Sequence, residues 1–160
     1  LTFTGFLIGW AKPVPVSVRR LNSPKRDMAI VAAAGPAVNL AMALGWSVVL
    51  LIAHSLIHTQ QFLAVPLLLM AVAGLFINIV LMAINLLPVP PLDGGRILTG
   101  LLPLKVARLY ARIEPFGMII LIALLISGVL GTILGPVVLG SIALLPGSDL
   151  VLGILPALFP

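Results

Sequence analysis

The clearest place in this sequence for chemistry is a lone carboxylate at the end of a long apolar run. Asp93 closes the stretch Asn85-Leu86-Leu87-Pro88-Val89-Pro90-Pro91-Leu92-Asp93-Gly94-Gly95-Arg96. An ionised side chain at the centre of a membrane helix costs about 2.5–3.5 kcal/mol on insertion scales. Asp93 therefore needs compensation from a metal ion, from Arg96, or from the first turn of a following helix. Two roles stay open: N-cap of a helix entered through Ile97-Leu98, or ligand to a metal. They are compatible, because a capping carboxylate keeps a second oxygen. Pro88, Pro90 and Pro91 lack N–H groups, so an extended lead-in leaves fewer backbone donors to satisfy in a dry setting. Gly94 and Gly95 would let the backbone turn and a ligand approach closely.

Other polar groups in the apolar sequence are candidates too. Asn39 follows Gly35-Pro36 and shares a helix face with Gly35, four residues earlier. An intramembrane Asn commonly hydrogen-bonds a neighbouring helix; the functional alternative is a donor aimed into a site. Gly74, Asn78 and Asn85 fall on roughly one face of a second helix, which puts Asn85 at the mouth of the Asp93 loop. His54 and His58 have the spacing of the two histidines in a His-Glu-x-x-His zinc motif, but Ser55 stands where that motif has its glutamate. They sit where an apolar run ends, and are read as a loop-edge pair.

The elements that must position these residues are membrane helices. The chain has 160 residues, 61% hydrophobic and only 8% charged, with a mean hydropathy of +1.29. Soluble domains carry about a quarter charged residues. The expected fold is all-α, a polytopic transmembrane helical bundle, with a short extended or β element near residues 12–18, where Pro alternates with Val and Ser. One membrane-embedded domain covers 1–160, with main spans at 28–57, 62–87 and 116–134, an interfacial helix at 104–114, and a partial or re-entrant span at 135–160. Ser23, Pro24 and Asp27 read as N-cap, first position and first-turn acid of the first long helix. Pro36 should kink that helix. Between 104 and 114, Lys105, Arg108 and Arg112 share one face and Val106, Leu109, Tyr110 and Ile113 another, the pattern of a helix lying in the interface. Gly117, Gly128 and Gly131 suggest close packing in the third span.

Basic residues cluster at 12–26 and 96–112, on either side of two spans, and the 58–61 loop has none. The positive-inside rule then puts both clusters and the Asp93 loop on the cytoplasmic side. The net charge of +5 is not a nucleic-acid footprint, because the basic clusters show no pattern of aromatic residues alternating with basic ones, Tyr110 alone lying within one. With no cysteine, disulfides and thiolate metal sites are excluded. The chain opens Leu1-Thr2-Phe3 in apolar sequence, without methionine or a charged leader, and we expect a natural N-terminus further upstream.

Three blocks together resemble the site-2 protease family of intramembrane zinc metalloproteases, closest to its compact prokaryotic type without a PDZ domain. They are Gly9-Trp10-Ala11-Lys12-Pro13-Val14-Pro15-Val16, Ala34-Gly35-Pro36-Ala37-Val38-Asn39, and Asn85 through Gly95. The resemblance covers roughly residues 5–117. It implies an endopeptidase that hydrolyses a peptide bond in or near the transmembrane segment of a membrane protein substrate. It implies Zn2+, with Asp93 as its carboxylate ligand. Asn39 and Asn85 would line the site or position substrate, and Gly35, Pro36, Pro88, Gly94 and Gly95 would shape its loops. The extended 12–18 segment would pair with an unwound substrate. In the family a His-Glu-x-x-His helix supplies two ligands and the glutamate that takes a proton from the attacking water. No such motif occurs in these 160 residues, and the family places it upstream of the Gly-Trp-Ala-Lys block. No catalytic residue is therefore assigned here, and this polypeptide alone is expected to be inactive. His54 and His58 cannot substitute, since the topology puts them across roughly 30 Å of hydrocarbon from Asp93. Expected partners are a transmembrane substrate and the lipid bilayer of a prokaryotic cell membrane, not nucleic acid, with a homo-oligomer left open. The competing reading is a non-catalytic membrane scaffold or pseudoprotease that binds partners through its Gly/Asn faces. A channel or transporter is disfavoured, because no paired intramembrane charges line a pathway and no hairpin repeats.

Overall fold

A computed structural model describes residues 24–158 of the chain. Among the described residues the fold is all-helical, with no strand. The extended element expected at 12–18, the Gly9–Val16 block and Ser23 lie outside the described residues.

Helix α1 (Pro24–Ser55) and helix α2 (Gln61–Asn85) form an antiparallel hairpin. At 32 and 25 residues they are about 48 and 37 Å long at 1.5 Å per residue, each enough to cross a bilayer. In lipid, apolar burial drives helix association weakly, and close van der Waals packing at small residues matters more. The hairpin follows that rule. Ala43, Ala53, Ala64 and Ala71 are fully buried along the seam, and Leu50, Val72, Leu75 and Ile79 interdigitate between them. Gly74 lies flat against the Trp46 indole, so close that a Cβ there would overlap the ring. Outward-facing Ile30, Val38, Val48 and Ile52 stay exposed, as a lipid-facing surface requires.

The Trp46–Gly74 contact fixes the register. Asn85 lies eleven residues beyond Gly74, and Gly35 eleven before Trp46. Asn85 is therefore level with Gly35, to within about a turn. The buried Asn78 amide donates to the Gly74 carbonyl of its own helix, at 2.7 Å, rather than to a neighbour. α1 runs as one helix through Pro36.

Beyond α2 come α3 (Asp93–Leu101), α4 (Leu104–Ala111), a 3-10 turn (Glu114–Phe116), α5 (Gly117–Ile126), α6 (Val129–Ala143) and α7 (Ser148–Leu158). α3 packs against α1, α6 and α7 against α2. The apolar run 116–134 is not one helix. α5 stops at Ile126, and Gly128, at φ 73°, turns the chain before α6. That left-handed conformation is open to glycine and strained for most other residues. Gly128 and Gly131 do not serve close packing, since nothing lies within 4 Å of a Cβ built on either. Residues 104–126 are long and apolar enough in sum to cross a membrane. However, Lys105, Arg108, Arg112 and Glu114 all fall in the first half, and α5 alone, at ten residues, reaches about 15 Å.

Candidate functional site

The site is built where the open end of the hairpin meets the Pro-rich loop. α2 ends at Asn85. Leu86 to Leu92 then form a compact loop held by short backbone bonds, Val89 N–H to Leu87 O at 2.8 Å and Leu92 N–H to Val89 O at 2.9 Å. The Pro90–Pro91 peptide is cis. α3 starts immediately at Asp93 and leans on α1.

That contact is specific. Asp93 Oδ2 lies 2.5 Å from where a Cβ on Gly35 would be, and Asp93 Cγ 3.5 Å away. The carboxylate occupies the notch that the missing side chain leaves in α1. Thus the Ala34–Asn39 block and the Asn85–Gly95 block, some fifty residues apart in sequence, meet through Gly35 and Asp93. Asn85 is level with them. Asn39, one turn along α1, is half-buried and makes no hydrogen bond to a neighbouring helix among the described residues.

Asp93 does not cap α3 through its side chain. Leu92 holds the N-cap position, with φ −67° and ψ 161°, and no side-chain cap bond forms. Arg96 is exposed and, among the described residues, forms no ion pair with Asp93. Of the three compensating partners, the structure supplies the helix end. Asp93 is the first residue of α3, where the helix macrodipole favours a negative charge.

Gly94 and Gly95 are required for a reason other than turning. Neither has a positive φ. A Cβ on Gly94 would strike the carbonyls of Leu86 and Leu87, and one on Gly95 would come within 2.7 Å of Pro90 N. They let the first turn of α3 lie directly on the loop backbone. Gly117, at the start of α5, closes the other side, where a Cβ would collide with the Pro90 carbonyl. Finally, Tyr110 on α4 donates its hydroxyl hydrogen to the Pro88 carbonyl at 2.6 Å. Sequence reasoning assigned Tyr110 only to an apolar face and missed this strap. The available signal was that the chain's single tyrosine lies on an amphipathic helix just after a loop rich in carbonyls without matching donors.

His54 and His58 are exposed at the closed end of the hairpin. His54 is nineteen residues from Gly35 along α1, about 28 Å. Among the described residues no three His, Cys, Asp or Glu side chains are grouped to hold a metal. These residues alone do not bind a catalytic zinc, which needs three protein ligands. Asp93 fits such a site as one oxygen ligand and no more.

The fold and its hydropathy define a polytopic helical membrane protein, with a carboxylate held at a helix–helix notch near the end of its first hairpin. The family model described as Peptidase family M50 matches residues 49–128, from the second half of α1 to the end of α5. A Bacillus subtilis (strain 168) protein named "Putative zinc metalloprotease YwhC" is 32% identical over 160 aligned positions, covering 94% of this chain and 67% of the relative. No solved structure matches the chain. The chain belongs to peptidase family M50, the site-2 proteases.

Proposed function

We propose that the chain is the part of a zinc-dependent intramembrane endopeptidase that contributes the Asp93 ligand and its supporting loop. Family membership and the zinc metalloprotease named as a relative support the reaction class. The observation that carries the residue assignment is the Asp93 carboxylate seated against Gly35, where two separate sequence blocks meet. Bound zinc would supply Lewis acidity for activating water. The chain's own residues do the positioning. Gly35 leaves room for the carboxylate, and the loop packed on Gly94, Gly95 and Gly117 fixes its height. Asn39 and Asn85 offer amide donors and acceptors on that level for a substrate peptide whose backbone must unwind to be cut. The Asp93 loop faces the cytoplasm, by the distribution of Lys and Arg.

The proposal needs two histidines and a glutamate that these 160 residues do not carry as His-Glu-x-x-His. The family resemblance implies that they come from a helix upstream of the Gly-Trp-Ala-Lys block, and the proposal expects the polypeptide without them to be inactive. The test is Asp93→Ala in the natural full-length protein, assayed on a transmembrane substrate after membrane insertion has been verified. Loss of cleavage with normal insertion is expected. Cleavage at the wild-type rate would remove Asp93 from the site. An N-terminal sequence lacking the motif would favour the scaffold reading.

A further inference from the structure

α4 presents two stripes that the other described residues leave uncovered. Lys105, Arg108 and Arg112 recur at helical spacing and are all exposed. Beside them Leu104 and Leu109 are each 63% exposed, and Val106 and Ile113 are also open, with Ala107 alone buried on this helix. Exposed Leu101 and Arg96 extend the pattern into α3, and Glu114 is the one acid in the segment 96–116. An apolar stripe without a partner among the described residues, edged by basic side chains, matches a bilayer interface. There acyl chains and headgroups lie within about 5–10 Å of one another.

We propose that α4, with the end of α3, is a contact surface for anionic phospholipid headgroups, and that this contact steadies the Asp93 loop. The charge excess selects anionic over zwitterionic headgroups. α4 and the start of α5 are tied to the loop by a hydrogen bond and a backbone contact. The Tyr110 hydroxyl holds Pro88 O, whereas Ser47, Asn78, Thr99 and Thr132 bond only carbonyls three or four residues away in their own helices. Just after α4, Gly117 lies against Pro90. A helix pinned to the headgroups therefore holds the loop that carries Asp93 at a fixed depth. The inference does not depend on the peptidase reading, because neither readout below involves cleavage.

The test uses the full-length protein in phosphatidylcholine vesicles with or without a minority of phosphatidylglycerol. A bimane label at Leu109→Cys, with any other cysteine replaced, reports quenching by brominated lipid. Brominated phosphatidylglycerol should quench at least about threefold more than brominated phosphatidylcholine at equal mole fraction. The preference should vanish in the Lys105→Gln, Arg108→Gln, Arg112→Gln variant. Amide exchange at Val89 and Leu92 should slow at least about threefold when phosphatidylglycerol is added. Tyr110→Phe should keep the quenching preference and lose the slowing. Equal quenching by both lipids, or none by either, overturns the lipid surface. Unchanged exchange in the wild type overturns the coupling to the loop.

Discussion

Replacing Gly35 with alanine should separate stability from activity. The added Cβ would stand 2.5 Å from Asp93 Oδ2, and real Cβ contacts rarely fall below 3.4 Å, so the oxygen must retreat by about 0.9 Å. Asp93 Cγ, at 3.5 Å, is already at ordinary contact distance and need not move. A rotation about the Cβ–Cγ bond, whose torsional preference is broad, relieves the clash at no more than the roughly 0.5–1.5 kcal/mol of an off-rotamer side chain. The helix gains an alanine in place of glycine, which returns up to about 1 kcal/mol. Net stability should therefore change by less than about 1 kcal/mol. The carboxylate, however, no longer points where it did. A misplacement near 1 Å of a group that orients reactants costs on the order of a hundredfold in rate. Cleavage of a transmembrane substrate by the full-length Gly35→Ala protein should fall by about that factor. The unfolding midpoint in mixed micelles should hardly move. Gly45→Ala is the control, because nothing lies within 4 Å of its Cβ position on the same helix, and it should leave both quantities unchanged. Normal cleavage by Gly35→Ala would refute the reasoning, as would a loss of activity matched by general unfolding.

Other changes test neighbouring parts of the account. Gly74→Ala drives a methyl into the Trp46 indole and should destabilise the hairpin by about 1–3 kcal/mol, measured by steric-trap or detergent unfolding, while Gly131→Ala stays neutral. Tyr110→Phe removes the bond to Pro88 O and should lower stability by about 0.5–1.5 kcal/mol, with faster amide exchange confined to residues 86–92. Combined His54→Ala and His58→Ala should leave zinc content and cleavage of the full-length protein intact, because both side chains are exposed at the closed end of the hairpin, His54 in the last turn of α1 and His58 in the turn after it; loss of zinc would sink the topology.

Much of the architecture was legible because membrane helices are written in hydropathy. The apolar runs that become α1 and α2 are long, nearly free of charge, and separated by the short polar stretch Thr59-Gln60-Gln61. The all-helical fold follows, since backbone in lipid must satisfy its own hydrogen bonds. The basic and apolar faces of residues 104–114 could also be read from spacing. What escaped was set by tertiary approach. Gly94 and Gly95 look like turn residues in sequence, but their value lies in the loop carbonyls pressed against them. Gly117, Gly128 and Gly131 look alike in sequence, and only Gly117 meets a neighbour. Gly128 instead divides what hydropathy presents as one continuous span. At Asp93 the sequence left cap and ligand both open. The structure leaves the side chain out of any cap and turns it towards Gly35. That contact is invisible to local pattern because its two halves lie on different helices.

Zinc stoichiometry of the purified full-length protein decides whether Asp93 is a metal ligand. The wild type should hold about one zinc per chain, the number a single three-ligand catalytic site requires. Asp93→Ala, still inserted and folded, should lose most of that zinc on dialysis against a weak chelator. Wild-type protein without zinc, or an Asp93→Ala variant that keeps the full complement, would remove Asp93 from the metal site.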